Sequence, residues 1–417
     1  MSSGLAETIQ TANIQRHLES FAELSTGGPG VSRLGYTELE RKAHQIFANH
    51  MQELGAEVWV DTAGNTIAEL AATVNDAETA AVGTGSHLDS VPHGGAFDGI
   101  VGVVAGMEIA RVLVATETPR HRPWRFVVFA NEEGARFGQA CNGSRAIAGL
   151  ASVESLKDLR DRDGITLYQA MKEIGLEPDR LAESRWQPED WHAFVELHIE
   201  QGNQLEQREL PIGVVDSISG STRMQVTLHG TASHTGGTPM HHRRDALAGA
   251  AECILYGEQV ANDQSHHGNR ITVGYLDVQP NSTTTIPGTI TFNVDVRDFD
   301  TLRQRDTALQ LIEEFTQIAT RRSLDITIKK IGDTSPVMLS GRVASAIASA
   351  SRQLKQKYYV MSSGASHDSQ QVAHLVDTGM VFVPSRDGLS HVPEEWTDYS
   401  QIAEGTRVLA LAMLELQ

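Results

Sequence analysis

Residues 83–99 read Gly83-Thr-Gly-Ser-His-Leu-Asp-Ser-Val-Pro-His-Gly-Gly-Ala-Phe-Asp-Gly99, and the apolar run Ile100 to Ala115 follows directly. Ala80 to Ser86 is short and apolar, so the pattern predicts a strand ending near His87, a glycine-rich turn, and then a helix. In an open α/β sheet, ligands gather outside the carboxyl ends of the strands, and glycines there let backbone approach a bound group. His87 and Asp98 are therefore candidate functional residues. Asp89, two residues after His87, can accept the free imidazole N–H and fix which ring nitrogen faces a ligand. The plainer alternative is a glycine turn with Asp98 as helix N-cap.

Outward from this segment, Trp124 to Ala130 and Ala193 to Ile199 are further short apolar runs, and strands alternating with a helix imply an α/β unit with a largely parallel, buried sheet. Upstream, Ile14, Leu18 and Phe21, then Leu39, Ala43, Ile46, Phe47 and Leu54, recur with helical spacing, and Glu57–Asp61 with Thr66–Leu70 reads as a hairpin. From about Asp216 the order becomes strand (223–230), helix (245–262), strands (270–278 and 288–298), helix (301–321), strand (324–331). This β-α-β-β-α-β module has Ala308, Leu311, Ile312, Phe315 and Ile318 on one helix face, enough for a core of its own. The expected organisation is a mostly parallel α/β domain, 1–215 with 332–417, interrupted by an α+β domain, 216–331. A chain of 417 residues has room for both.

Further candidates lie at other strand ends. Trp124 to Ala130 runs into Asn131-Glu132-Glu133-Gly134; His198 closes Phe194 to Ile199; His391 lies just after the apolar run Met380 to Pro384. Adjacent acids are usually solvated, and a single histidine is usually structural. The joint pattern differs, because His87, Asp98, Glu133, His198 and His391 all follow strands of one sheet. Three imidazoles and two carboxylates suit two borderline-soft cations bridged by one carboxylate, and the neighbouring Glu132 and Glu133 can divide labour, one bound to a cation and the other free to take a proton from a metal-bound water.

Composition narrows the class. Thirty-four Lys and Arg against 53 Asp and Glu give a net charge of −19, a field that repels nucleic acid and anionic membrane surfaces. Two cysteines, Cys141 and Cys253, form no metal motif, whereas 17 histidines are present. Met1 to Gln10 has neither a basic nor an apolar targeting region, and Ile100 to Ala115 is broken by Glu108 and Arg111, so a soluble cytoplasmic protein is expected.

Seven ordered stretches, GTGSHLDSVPHGGAFDGIVGVVAG, FANEEGARFG, ELHIEQG, TASHTGGTPM, PNSTTTIPGTITFNVDVRD, SGASHDSQ and VPSRDGLSHVPEEW, resemble the binuclear-zinc amidohydrolases. That family includes N-carbamoyl-L-amino acid hydrolases, allantoate amidohydrolases and β-ureidopropionases, and is related to the zinc aminopeptidases. The resemblance implies a catalytic domain interrupted by a lid that also forms a homodimer interface. It makes His87 and His198 ligands of one ion and Glu133 and His391 ligands of the other, with Asp98 bridging and Glu132 as general base. The ions would be zinc, with manganese or cobalt as alternatives. His234 corresponds to an oxyanion-stabilising histidine that reaches the partner subunit's site, and Asn281 and Arg297 to a clamp for the carboxylate of a small ureido-acid substrate. Gln201, after His198, can hydrogen-bond the ureido or carboxylate group. Arg297 can instead pair with Asp295 or Asp298. The family's usual Ser-Gly-Ala-Gly-His-Asp-Ala stands here as Ser363-Gly-Ala-Ser-His-Asp-Ser369, so Ser366 places a side chain where backbone approaches substrate.

Overall fold

A computed structural model describes residues 2–263 and 268–417. Two compact units emerge, one comprising residues up to Ser217 together with Met338–Gln417, the other Ile218–Val337. In chain order the strands are β1 (Glu57–Val60), β2 (Thr66–Leu70), β3 (Ala81–His87), β4 (Trp124–Phe129), β5 (Trp191–Ile199), β6 (Ile212–Ile218), β7 (Gly220–His229), β8 (Ser233–His234), β9 (Arg270–Gln279), β10 (Thr285–Ile286), β11 (Thr289–Asp298), β12 (Asp325–Thr334), β13 (Val337–Met338), β14 (Tyr358–Ser363) and β15 (Thr378–Val383).

The larger unit is built on a sheet ordered β1-β2-β4-β3-β5-β15-β6. Its centre, β4-β3-β5-β15, is parallel, while β1, β2 and β6 join antiparallel. Every residue of β3 and β15 is buried, as expected for parallel strands covered on both faces. The helix Ile100–Ala115 is buried almost all round and the helix Tyr399–Leu416 nearly so, whereas Thr11–Ala22 turns only Ile14, Leu18 and Phe21 inward. Their apolar side chains merge with Val82, Val195, Val381 and Val383 into one core. The parallel centre leaves the carboxyl ends of four adjacent strands side by side, the arrangement expected from residues 83–115.

The smaller unit has the expected β-α-β-β-α-β order, folded as an antiparallel sheet β12-β7-β11-β9. Strand β11 alternates half-buried and buried residues along its length, and Ile290, Phe292, Val294 and Val296 meet Leu311, Phe315 and Ile318 of the helix Thr301–Arg321. Asp245 caps the helix Ala246–Asn262 by accepting from the N–H groups of Leu247 and Ala248, and Asp300 caps Thr301–Arg321 through Arg303 N–H. Strand β12 runs past Gly332 to Thr334 because a bulge between Lys330 and Gly332 shifts its register against β7 and lets pairing resume. No helix among the described residues is long and apolar enough to cross a membrane.

Candidate metal centre

Each of the four central parallel strands contributes to one cluster at its carboxyl end. His87 is the last residue of β3, His198 the penultimate residue of β5; Glu132 and Glu133 follow β4, and His391 follows β15. Asp98 sits just before the helix Ile100–Ala115. His198 Nε2 lies 3.2 Å from Asp98 Oδ1, and His87 Nε2 3.9 Å from the same oxygen. His391 Nε2 lies 3.3 Å from Asp98 Oδ2 and 3.2 Å from Glu133 Oε2. The ligand atoms of His87, Asp98 and His198 fall within 4.8 Å of one another, as do those of Asp98, Glu133 and His391. Asp98 belongs to both groups.

Local backbone serves this convergence. A Cβ at Gly99, where φ is +73°, would overlap the His87 ring, so only glycine lets the helix begin beside that imidazole. Asn131, Cys141, Gln201 and His391 also hold positive φ, a conformation that costs non-glycine residues energy and that concentrates at functional sites.

The donor set fits cations. His198 Nδ1 lies 2.9 Å from the Ile199 carbonyl and His87 Nδ1 3.1 Å from that of Asp89. A carbonyl only accepts, so in each neutral ring Nδ1 carries the hydrogen and Nε2 turns its lone pair toward carboxylate oxygens. Only a proton or a cation reconciles lone pairs that face anions. Although burial opposes it, hydrogen bonds that His391 donates to Asp98 and Glu133 raise it to about 11, and His87 is likewise held well above its ordinary value by Asp89, Glu132 and Glu133. Asp98 stays ionised, far below the usual carboxylate range, because His198 and His391 outweigh its desolvation. The cluster demands positive charge, and three imidazoles with carboxylates are ligands for divalent first-row metals.

Glu132 is 5 % exposed, with Oε2 3.7 Å from His87 Nε2 and Oε1 3.2 Å from the Cys141 thiol, which donates to it. Burial pushes its carboxyl up to about 8, with Glu133 and Asp89 adding to the effect against the pull of His87. Asp89 reaches more than His87. Its backbone oxygen lies nearest His87 Nδ1, with the carboxylate at 3.4 Å from the same nitrogen, and the carboxylate also accepts from the N–H groups of Glu132 and Glu133. Gln201 Nε2 donates to Asp98 Oδ2 at 2.7 Å, while its buried Oε1 has no partner among the described residues. Ser366 is half-buried and precedes His367, whose ring lies edge-on to His198 with centroids 4.5 Å apart.

The other three candidates belong to the smaller unit. His234 is exposed, and its Nδ1 accepts from Gly236 and Gly237 N–H at 3.1 and 3.0 Å. Asn281 is exposed with φ +52°. Arg297 pairs through Nε with Asp295 Oδ2 at 3.0 Å, one of the two partners anticipated from sequence.

Several residues around the cluster were not anticipated. Glu40, wholly buried, accepts from the N–H groups of Asn131 (2.8 Å) and Tyr36. Arg33, pulled down to about 10 by burial, donates to the carbonyls of Leu88, Phe21 and Leu24 behind the His87 loop. Glu395 and Ser390 bind both the Asp98 and the His391 segments. Only Glu40 left a signal: it lies three and seven positions before Ala43 and Phe47, a charge on an apolar helix face.

Residues 83–415 match the model of peptidase family M20/M25/M40. The chain belongs to this family. Within the M20/M25/M40 enzymes it is similar to an N-carbamoyl-L-amino acid amidohydrolase of Geobacillus stearothermophilus, 41 % identical over 91 % of this chain and 92 % of the relative. An N-carbamoyl-L-amino-acid amidohydrolase of Paenarthrobacter aurescens is 38 % identical over 98 % of both. Among solved structures, an amidase of the hydantoinase/carbamoylase family from Burkholderia vietnamiensis superposes with a TM-score of 0.90 at 34 % identity, covering 98 % of each chain. This M20/M25/M40 chain is thus an enzyme of the hydantoinase/carbamoylase amidohydrolase group, as the seven motifs implied.

Proposed function

We propose that the chain hydrolyses the ureido C–N bond of an N-carbamoyl-L-amino acid, releasing the amino acid, ammonia and carbon dioxide. The observation that carries this reading is Asp98, which faces His198 with one carboxylate oxygen and His391 with the other, beside a buried Glu132 that coordinates neither group. Coverage of almost the whole length of two N-carbamoyl-L-amino acid amidohydrolases supports the substrate class.

His87, Asp98 and His198 would hold one divalent ion, and Asp98, Glu133 and His391 the second, zinc first, with manganese and cobalt as alternatives. Bound there, the ions supply Lewis acidity that polarises the carbamoyl oxygen and acidifies water. Glu132 does the proton work: Oε1 is held by the Cys141 thiol, so Oε2 faces the reacting centre, takes the proton of the attacking water and delivers it to the departing nitrogen. Gln201 Oε1, buried without a partner among the described residues, is an acceptor for a ureido N–H.

The unit Ile218–Val337 serves as lid and dimerisation domain in this reading. Because backbone N–H groups donate to His234 Nδ1, its hydrogen resides on Nε2, the tautomer needed to donate to a tetrahedral oxyanion. Arg297, oriented by Asp295, and Asn281 would clamp the substrate carboxylate. Tyr275 and Leu276 are exposed on β9, an edge of the lid sheet, and Leu255 on the neighbouring helix, an apolar edge suited to a second copy of the chain.

Ammonia release from N-carbamoyl-L-amino acids, N-carbamoyl-β-alanine, allantoate and dipeptides tests the assignment. The expected result is the highest kcat/KM on an N-carbamoyl-L-amino acid. Preference for allantoate or the β-alanine derivative would reassign the substrate, and cleavage of dipeptides alone would return the chain to the peptidases.

A further inference from the structure

Glu395 is 3 % exposed and spends both carboxylate oxygens on two loops that are far apart in sequence. Oε1 accepts from the backbone N–H groups of Phe97 and Asp98, each at 3.0 Å. Oε2 accepts from Ser390 Oγ at 2.7 Å and from His391 N–H at 3.3 Å. The Ser390 hydroxyl also lies 2.8 Å from Asp98 Oδ2, so its single hydrogen serves two carboxylates. A Cβ at Gly95 would overlap the Glu395 carboxyl group, so the Asp98 loop is shaped to admit it. One buried carboxylate thus joins the backbones of Asp98 and His391.

The His391 side needs such a hold more than the Asp98 side. Asp98 is anchored independently by the helix that follows it and by Gln201. His391 lies in an irregular segment, with φ +62° in the left-handed region and a side chain 48 % exposed. A non-glycine residue keeps that conformation only where its surroundings impose it, and its N–H bond to Glu395 is such a constraint.

We propose that Glu395 is a positioning residue that couples the two halves of the ion site, setting the His391 loop against Asp98 so that the Glu133–His391 ion depends on it and the His87–His198 ion does not. The proposal rests on the two-ion reading given above. It gives Glu395 no contact with substrate and no proton to carry.

Glu395→Gln separates the halves by hydrogen-bond geometry. An amide has one accepting oxygen and one donating NH2. Its better orientation keeps the oxygen on the two N–H groups of Phe97 and Asp98, and Ser390 Oγ can rotate to accept from the NH2. The His391 N–H cannot accept, so that contact becomes donor against donor.

The test is titration of chelator-stripped protein with zinc in competition with a chromophoric chelator. Wild type is expected to take up two ions. Glu395→Gln should hold one ion with affinity within about threefold of wild type and bind the other at least about tenfold more weakly, the usual cost of losing an outer partner of a ligand. Adding His198→Ala to Glu395→Gln should abolish the remaining tight ion, whereas adding His391→Ala should leave it. Unchanged affinity for both ions, or equal loss of both, overturns the proposal while leaving the two-ion reading intact. Wild-type protein that never takes up two ions overturns that reading and the proposal with it. Should Glu395→Gln lack the wild-type circular dichroism, Glu395→Asp decides, because it keeps the charge but is one methylene too short to hold both loops: a selectively weakened second ion supports the coupling, and two unchanged affinities or an equal loss of both refute it.

Discussion

The Asp89 carboxylate accepts the backbone N–H of Glu132 through Oδ1 at 2.9 Å, and through Oδ2 it accepts the next N–H, that of Glu133, at 3.1 Å. With Glu40 on the N–H of Asn131, three consecutive amides at the end of β4 are each held by a buried carboxylate. The proposed base and a proposed ligand are aimed by their backbone as much as by their side chains.

Asp89→Asn should therefore be costly despite its small size. The amide can accept at only one oxygen, so one of the two N–H groups meets an NH2 and stays buried without a partner, a loss of about 1–3 kcal/mol. Denaturant unfolding should show that drop, together with lower kcat at nearly unchanged KM. Wild-type stability and wild-type kcat in the variant would remove Asp89 from this role.

Glu132→Gln keeps the shape of the side chain and the Asp89 contact to its backbone, since that contact does not involve the carboxyl. It should fold and bind its ions, yet lose at least ~10²-fold in kcat, as removal of a positioned base does. Glu133→Gln should lose affinity for an ion as well. If Glu132→Gln remains active and Glu133→Gln binds ions normally, the two roles are reversed.

Much of this site was legible in the sequence because its candidate ligands end or follow apolar strands, and strand ends of one parallel sheet must meet. The bonds that hold the loop backbone were not legible, for a physical reason. Glu40, Asp89 and Glu395 act on backbone amides, which any residue supplies, and Glu395 reaches Phe97 across 298 positions. No spacing of residue types encodes such a bond. Gln201 was read as a substrate contact, but its NH2 lies on Asp98, so only its oxygen remains for that purpose. In the smaller unit the order of elements was readable from periodicity, whereas the end of β12 was not, because the bulge at Lys330–Gly332 interrupts the alternation without ending the strand.

Arg297→Ala should raise KM steeply for ureido acids and much less for the corresponding amides, which lack the carboxylate that a guanidinium would pair with. Steady-state kinetics on matched acid and amide substrates decides this. An equal penalty on both would confine Arg297 to its ion pair with Asp295.

Away from the site, His17, His44 and His50 make stability depend on pH. Burial, with His50 and Arg16 adding, lowers His17 to about 4; burial also lowers His50 and, further, His44. The unfolded chain, titrating near 6.5, binds these protons more readily than the folded one. The stability these three rings carry is full above pH 6.5 and is lost as pH drops toward about 4, below which His17 adds no further loss, while the buried carboxyls of Glu40 and Asp61, raised to about 8 and about 7, work in the opposite sense. Urea unfolding at pH 7, 5.5 and 4.5 should therefore show His17→Gln gaining stability relative to wild type as pH falls. An unchanged slope in the variant would contradict the assignment.

The number of ions held per chain tests the shared Asp98 most directly. Stripped protein reloaded with zinc, dialysed to equilibrium and analysed for metal should hold two ions per chain. Asp98→Ala should disturb both sites, whereas His391→Ala should retain one ion. A wild-type plateau at one ion or none, or an Asp98→Ala protein that still holds two, would contradict a binuclear centre built on Asp98.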